Sequence, residues 1–314
     1  VTHPDLEYVY DGPVSSANAV FENLIVTGNH AAAGAGISIW RVSGPNLSDL
    51  IVQENTAEVF GGGIMIFSSV ASVMDVTVSG NNCIVDSSSG GGIIINNSEA
   101  TLTKISVTDN TAFWGGGMSI FNTDAVLTNL TVSGNVATAI GSGLVVGANA
   151  NAMLANSIIW GNDPDQNQVF GTPTITYSDI QDGWEGEGNI DSDPFFTDPD
   201  NGDFSLQQGS PCIDAGTADL DGDGDEDITD YFSTAPDMGA FEFYLAVTGL
   251  QYTIENSSVI LDWSSIENVQ YYTLERSTDS LFTENVVTNY LTDNNHTDNS
   301  LEWNTEYFYR VAAY

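Results

Sequence analysis

The most chemically distinctive part of the sequence is an acidic loop, residues 219–230, in which seven of twelve residues are Asp or Glu and none is Lys or Arg. Calcium takes six to eight oxygen ligands, and a twelve-residue loop can supply them from positions 1, 3, 5, 7, 9 and 12, with glycine at position 6. Gly224 stands at position 6, and the residue at position 7 binds through its carbonyl oxygen. The predicted calcium ligands are Asp219, Asp221, Asp223, Asp225, Asp227 and Asp230.

The loop departs from a paired calcium sensor in two respects. Position 8 is Glu226 where an aliphatic residue is expected, and no helical pattern flanks the loop. The sequence therefore predicts an isolated structural loop, which resembles the loops of dockerins and of calcium-binding thrombospondin-type repeats. Bound calcium would neutralise the local repulsion and stabilise the surrounding segment. The alternative is an acidic turn that is solvated and holds no ion.

Residues suited to acid–base catalysis are scarce in the first half of the chain. A polysaccharide lyase needs a base, commonly Lys, Arg or His, and a positive charge or calcium near the substrate carboxylate. Lys104 shares a repeat position with Asp75 and Asn129, which predicts an ion pair along that column. We single out no catalytic residue, although a hydrolase with paired carboxylates stays open. The candidate bases up to residue 163 are His3, His30, Arg41 and Lys104.

The overall charge restricts the partners of the protein. The chain has 43 Asp and Glu residues against 4 Lys and Arg, which gives a formal net charge of −39. Such a molecule repels nucleic acid and anionic membrane surfaces, and salt or calcium must screen its own repulsion. No apolar run approaches the ~20 residues of a membrane span, so we expect no membrane insertion. The chain opens at VTHPDLEY, and we expect any export signal to have been removed or to lie upstream.

The elements that must position these residues follow from an internal repeat. Six copies of one unit share an Asn, and the steps between these asparagines are 26, 26, 29, 25 and 27 residues. A period of this size indicates stacked supersecondary units. A buried amide at each turn can bond both the turn backbone and the amide of the next coil. The shared residues are Asn29, Asn55, Asn81, Asn110, Asn135 and Asn162.

Each unit predicts two strands, one before the Asn and one after a cluster of glycines. Residues such as Leu50, Val52, Ile64 and Ile66 are expected to point inward and to stack on their equivalents in adjacent coils. The glycines supply positive φ and let neighbouring coils approach closely. The predicted architecture is an all-β, right-handed parallel β-helix. The glycine clusters are residues 61–63, 90–92 and 115–117.

An aromatic column is predicted on one edge of the coils, four residues after each glycine turn. Exposed aromatic rings there would stack on sugar rings or on a partner protein. Trp40, Phe67 and Phe121 are therefore candidate ligand-binding residues, with packing inside the turns as the alternative. The column comprises Trp40, Phe67, Asn96, Phe121 and Gly147.

The composition divides the chain into three predicted domains. Residues 1–163 carry the repeats, residues 164–243 form acidic terminal coils and a cap that contains the calcium loop, and residues 244–314 read as strands of a β-sandwich. The cysteines, Cys83 and Cys212, are too few for a disulfide framework, so two buried thiols are expected.

Three parts of the chain resemble known families. The V-x-x-N and G-G-G-[IM] signatures resemble bacterial right-handed parallel β-helix repeats and polymorphic outer-membrane-protein repeats. DPFFTDPDNGDFSLQQGSPCIDAG and DMGAFEF resemble the C-terminal signature of secreted choice-of-anchor proteins. Residues 245–314 resemble a fibronectin type III domain. In this resemblance Trp263 matches the core Trp of the second strand, and Tyr272 to Arg276 match the third strand. Leu301 and Tyr307 match the spacing of the tyrosine corner. YFYRVAAY would be the penultimate strand, so the last strand is missing.

These resemblances imply a bacterial protein that is extracellular or displayed on the cell surface. We expect a non-catalytic role in adhesion, glycan binding or surface structure, with a polysaccharide or surface protein as partner and calcium as stabilising ion. The open ends of a β-helix also permit self-association. The alternative function is a calcium-assisted polysaccharide lyase or hydrolase with a cleft along the β-helix.

Overall fold

The computed structural model describes residues 15–16, 19–163, 167–231, 233–244, 247–266, 269, 271–280, 282 and 285–313. The chain divides into two compact units, Val1–Glu242 and Phe243–Tyr314. Within the described ranges the structure is all-β, and the one helix is the 3-10 turn Pro199–Asn201.

The first unit is a parallel β-solenoid of about six turns, as the repeat predicts. Successive turns add strands to three parallel sheets, which we call A, B and C. Sheet A contains Ser15–Ser16, Val20–Thr27, Val42–Gln53, Val70–Ser79, Glu99–Thr108, Asp124–Ser133, Asn151–Ala155, Ile158–Trp160, Thr174–Thr176 and Asp179–Ile180. Sheet B contains His30–Ala33, Thr56–Phe60, Asn82–Cys83, Thr111–Trp114 and Val136–Ile140. Sheet C contains Ile37–Trp40, Ile64–Phe67, Ile93–Asn96, Met118–Phe121, Leu144–Val146 and Val169–Phe170.

The strands of sheet B are the elements that the sequence analysis missed. It lies between the shared Asn and the glycine cluster of each turn, where we predicted only a connection. Its inward positions are small residues such as Ala57, Cys83 and Ala112, which pack together in a cluster of their own. Small inward residues give little hydrophobic contrast, so the alternation typical of a strand is weak there.

The predicted inward residues form the core. Leu50, Val52, Ile64 and Ile66 are all buried. Leu50 pairs in register with the inward Val76 of the next coil, and the later coils continue the same alignment. The core is therefore a set of aligned columns of aliphatic side chains that run from coil to coil.

The asparagine ladder is confirmed. Each shared Asn donates from Nδ2 to Oδ1 of the Asn one coil further on, at 2.9 to 3.0 Å. The same Oδ1 also accepts the backbone N–H of the preceding Asn. Gln168 ends the ladder, because its Oε1 accepts Nδ2 of Asn162 at 2.8 Å. Every rung from Asn55 to Asn162 is buried, so the ladder satisfies amides that would otherwise be costly to bury.

The glycine clusters have the two roles that the sequence predicts. Gly90 adopts a φ of 68°, which favours glycine. A Cβ on Gly91 would clash with the carbonyl oxygens of Gly116 and Thr111, so the adjacent coils can approach only without a side chain there.

The acidic segment, residues 164–243, continues the solenoid and then lies along the outer face of sheet A. Its one hairpin pairs Phe196–Asp198 with Asp203–Leu206. Asn156, which lies between two strands of sheet A, accepts the N–H of Thr217 at 2.8 Å and donates to its carbonyl oxygen at 2.8 Å. Asn129, one coil earlier, donates to the carbonyl oxygen of Asp237 at 3.0 Å. The segment is thus fixed to the solenoid by side chains that emerge from sheet A.

The second unit consists of two antiparallel sheets of three strands each. The strands of the first are Gln251–Glu255, Ser258–Asp262 and Asn295–Asp298, and those of the second are Tyr272–Ser277, Val287–Leu291 and Phe308–Ala313. Trp263 is buried beside Tyr272 and Leu274, as expected for a core Trp. Among the described residues, Phe308–Ala313 pairs only with Tyr272–Ser277.

Candidate functional site

Three of the six predicted calcium ligands come together in the acidic loop. Carboxylate oxygens of Asp219, Asp221 and Asp227 all lie within 4.8 Å of one another. Two oxygens bound to one calcium ion at 2.3–2.6 Å can be at most about 5.2 Å apart. The spacing of these three carboxylates therefore fits a single calcium ion.

Backbone hydrogen bonds to the carboxylates shape this loop. Asp219 accepts the N–H of Gly222 at 2.7 Å and that of Gly224 at 2.9 Å, one on each oxygen. Gly222 and Gly224 both have positive φ, so the turn depends on the glycines of the motif. Asp227 accepts the N–H of Leu220 at 2.8 Å, which closes the loop across its base. Each oxygen keeps lone-pair capacity for a cation, because a carboxylate can accept about four interactions.

The other three predicted ligands lie outside the cluster. Asp223 accepts the N–H of Asp225 at 2.9 Å, and both side chains are exposed to solvent. Asp230 instead forms an ion pair with Lys104 of sheet A, with 2.8 Å between Oδ2 and Nζ. Lys104 does share a column with Asp75 and Asn129, but the ion pair that the structure describes is with the acidic loop, not with Asp75.

The repeat position of Lys104 explains how it reaches the loop. The residues of this column all have φ between 46° and 55° and form a corner in sheet A. Asn and Asp tolerate this left-handed conformation better than most residues do. Lys104 projects from the corner in the same column as Asn129 and Asn156, which also bond the acidic segment. The column comprises Asn23, Asp49, Asp75, Lys104, Asn129, Asn156 and Tyr177.

The aromatic column is aligned as predicted, but its members differ in exposure. Trp40 pairs in register with Phe67, and their ring centroids are 5.0 Å apart. Trp40 is 54% exposed, whereas Phe67 and Phe121 are half-buried. The ring of Phe121 lies over Gly147, since a Cβ there would clash with it. Trp40 and Phe67 therefore form an aromatic pair in which Trp40 is the exposed member, while Phe121 fills the space beside a glycine.

A buried carboxyl and a buried thiol meet beneath the acidic segment. Cys212 Sγ donates to Asp179 Oδ2 at 3.2 Å, and Ser192 donates its N–H to Asp179 Oδ1 at 3.1 Å. Burial raises the pKa of Asp179 to about 6 and raises that of the Cys212 thiol well above its usual range. Cys83, the other thiol, is also buried, so the expectation of two buried free thiols is confirmed. A buried, protonated thiol is a poor nucleophile.

The sequence analysis also missed a second ladder, formed by hydroxyl groups between sheets C and A. Ser69 accepts the N–H of Val42, Ser98 accepts that of Ser69, and Thr123 accepts that of Ser98, each at 3.1 Å. The signal was present as a Ser or Thr two residues after three consecutive sheet C strands, at Ser69, Ser98 and Thr123. It was inconspicuous because these residue types are common in exposed turns.

Comparison with known protein families, curated proteins and solved structures finds no match to this chain. In the part of the chain that the structure describes, no helix is long and apolar enough to cross a membrane.

Proposed function

We propose that this protein is a secreted or surface-displayed bacterial β-helix protein that acts without catalysis in adhesion, glycan binding or surface structure. The observation that carries the proposal is the exposed indole of Trp40, which packs against the half-buried ring of Phe67 on a stack of coils. Exposed aromatic rings suit sugar faces and protein partners, and the internal ladders leave the coil surface free for binding. We propose a right-handed winding for the solenoid, because this is the hand that strand-crossover chirality favours.

Replacement of Trp40 tests this proposal. The Trp40→Ala variant should weaken binding to a polysaccharide or surface-protein panel by about tenfold, because truncation of an aromatic anchor removes the main contact. Trp303→Ala is the matched control, since Trp303 is an exposed indole in the second unit. If the Trp40→Ala variant and the unaltered protein bind the ligand equally well, the aromatic pair is not the ligand-binding site.

Calcium is proposed as the stabilising ion of the acidic loop. Asp219, Asp221 and Asp227 would hold the ion, and Asp223, Asp225 and Asp230 complete the set that the motif predicts. The ion would supply positive charge to a loop with seven acidic residues in twelve. This neutralisation would stabilise the segment that Asn156 and Asn129 hold against sheet A.

Thermal unfolding in calcium and in EDTA tests the metal proposal. Calcium at about 100 times its Kd should add about 2.7 kcal/mol to the free energy of unfolding. Asp221→Asn with Asp227→Asn should abolish this gain, because Asn keeps the backbone hydrogen bonds but removes charge. The matched control is Asp223→Asn with Asp225→Asn. Loss of the gain in both double variants would favour the full twelve-residue ligand set, and no calcium effect in the unaltered protein would refute the proposal.

The calcium-assisted lyase or hydrolase remains the second candidate, and the acidic residues of the solenoid keep it open. Uronate release or new reducing ends from a polysaccharide panel, dependent on calcium, would favour the enzyme. Binding without turnover would favour the adhesin. The charge of −39 supports binding to partners other than nucleic acid.

The finer family assignments belong to the same proposal. The buried Trp263 and the two three-stranded sheets support a fibronectin type III-like second unit. The motif of the acidic segment supports a choice-of-anchor protein. Self-association through the solenoid ends would appear as a concentration-dependent increase in mass by light scattering.

A further inference from the structure

A groove of about 730 Å³ lies where the acidic segment meets the turns that carry the asparagine ladder. This volume is in the range of small-molecule binding sites. Its lining comes from two parts of the first unit. The solenoid contributes Asp109 and Trp160, and the hairpin region of the acidic segment contributes Asp193, Phe195 and Asp200. The groove contains none of the calcium-loop residues and none of the aromatic column.

The solenoid side of the groove is open because two repeat positions lack a side chain. Gly134 and Gly161 occupy the position that Asp109 holds one and two coils earlier, immediately before the ladder Asn. The Asp109 carboxylate lies against Gly134, where a Cβ would be only 2.5 Å from Oδ1. The result is a carboxylate beside bare backbone, next to the partly exposed indole of Trp160.

The hairpin side presents a phenyl ring held in an unusual conformation. Phe195 has a φ of 52°, which is rare for a bulky residue, and its side chain is 48% exposed. Its N–H donates to Asp193 Oδ1 at 2.9 Å, and its carbonyl oxygen accepts the N–H of Gln207 at 2.9 Å. These two bonds fix the backbone, so the ring of Phe195 is kept exposed at the groove, whereas Phe204, which also lines it, is buried.

The chemistry of the lining selects an uncharged, hydroxyl-rich ligand. Three carboxylates, Asp109, Asp193 and Asp200, line the groove, and none of the described lining residues is cationic. Carboxylates accept hydrogen bonds from hydroxyl groups and repel anions. The indole of Trp160 and the phenyl ring of Phe195 supply apolar faces for sugar rings.

We propose that this groove is a second binding site, which binds uncharged oligosaccharides and excludes uronates. It deepens the proposed glycan binding, on which it rests for the general role of the protein, but it uses different residues. Stacking comes from Trp160 and Phe195, and the carboxylates of Asp109, Asp193 and Asp200 accept the sugar hydroxyls.

Calorimetric titration with defined hexasaccharides tests the proposal. The probes are cellohexaose, xylohexaose, mannohexaose and laminarihexaose, with hexagalacturonate as the anionic comparison, each in calcium and in EDTA. At least one uncharged probe should bind in both buffers, and hexagalacturonate should not. Phe195→Ala should weaken that binding by about tenfold, as truncation of an aromatic anchor does. Asp200→Asn should also weaken it, and because Asp200 is exposed we expect this variant to keep the fold.

Phe241→Ala is the matched control, because Phe241 is an exposed phenylalanine of the same unit outside the groove. Failure of all four uncharged probes, equal binding of hexagalacturonate, or unchanged binding by Phe195→Ala would each overturn the inference. The Trp40→Ala variant separates the two proposals. If Trp40→Ala abolishes binding and Phe195→Ala does not, the result supports the site at Trp40 and refutes the site in the groove. If Phe195→Ala abolishes binding and Trp40→Ala does not, the result supports the site in the groove alone.

Discussion

The coils and the acidic segment bury their polar groups in two different ways. In the coils, the buried ladder asparagines each bond the same kind of group one coil away, as Asn81 bonds Asn110. In the acidic segment the partners are unlike and distant, as Asn156 with Thr217 and Asp179 with Cys212. Repetition gives each ladder asparagine its partner, whereas each buried polar group of the irregular segment needs a partner of its own. This difference frees the segment to form a charged loop and a groove.

The largest expected effect is on a central rung of the ladder. Asn110→Ala removes the acceptor of both the N–H and Nδ2 of Asn81 and the donor to Val78 O and Asn135 Oδ1. Each buried polar group left without a partner costs about 1–3 kcal/mol. We expect the free energy of unfolding to fall by about 3 kcal/mol or more, measured by urea denaturation.

The first rung provides the control for this prediction. Asn29 is exposed, so water can replace its bonds, and Asn29→Ala should cost less than about 1 kcal/mol. Equal losses for Asn29→Ala and Asn110→Ala would mean that burial does not set the value of a rung, and would break the comparison drawn above.

The next effect is a pH dependence that belongs to the acidic segment. Burial raises the pKa of Asp179 to about 6, against about 3.9 in an unfolded chain. The stabilisation by the neutral carboxyl is fully present below pH 4 and is lost as the pH rises through 6, because the unfolded chain releases its proton first. About 2–3 kcal/mol should be lost over this interval. Asp179→Asn should remove this loss, measured by thermal unfolding from pH 3.5 to 7.5.

Asp298 of the second unit should titrate in the opposite sense. Burial alone would raise its pKa, but hydrogen bonds from Ser300, Arg276 and Tyr309 lower it below the usual value. Its contribution is therefore present above pH 4 and is lost as the pH falls through the folded-state pKa.

The Asp179 prediction has a clear contrary outcome. If the stability of Asp179→Asn changes with pH as steeply as that of the unaltered protein, general charge repulsion, and not the Asp179 carboxyl, sets the dependence.

The smallest expected effect is at the ion pair between the segment and the coils. Asp230 is 89% exposed, so water screens its attraction to Lys104. Without calcium, Asp230→Asn should lower the free energy of unfolding by less than about 1 kcal/mol, and 1 M salt should remove the difference. The exposed Asp225→Asn is the control. A larger loss that persists in salt would mean that the direct contact between Asp230 and Lys104, and not the buried amides, anchors the loop.

The coils were largely predictable because their signals repeat. Leu50 and Ile64 follow strand periodicity, and the asparagines identify their own partners through the step of 25 to 29 residues. Sheet B escaped because its inward residues are small, as Ala57 shows. In the acidic loop, spacing identified Asp219, Asp221 and Asp227, which cluster, but it could not distinguish them from Asp223, which does not.

The sequence alone thus determined the solenoid, its inward columns, its asparagine ladder and the position of the acidic loop. Each of these features can be predicted from local residue spacing or from the repeat period. Only the tertiary structure decided that Lys104 pairs with Asp230 across 126 residues, that Asp179 meets Cys212, and that Phe195 joins Trp160 at one groove. These contacts join residues of different types that lie far apart in the chain. No period relates them, so the folded path of the acidic segment over the coils alone brings them together.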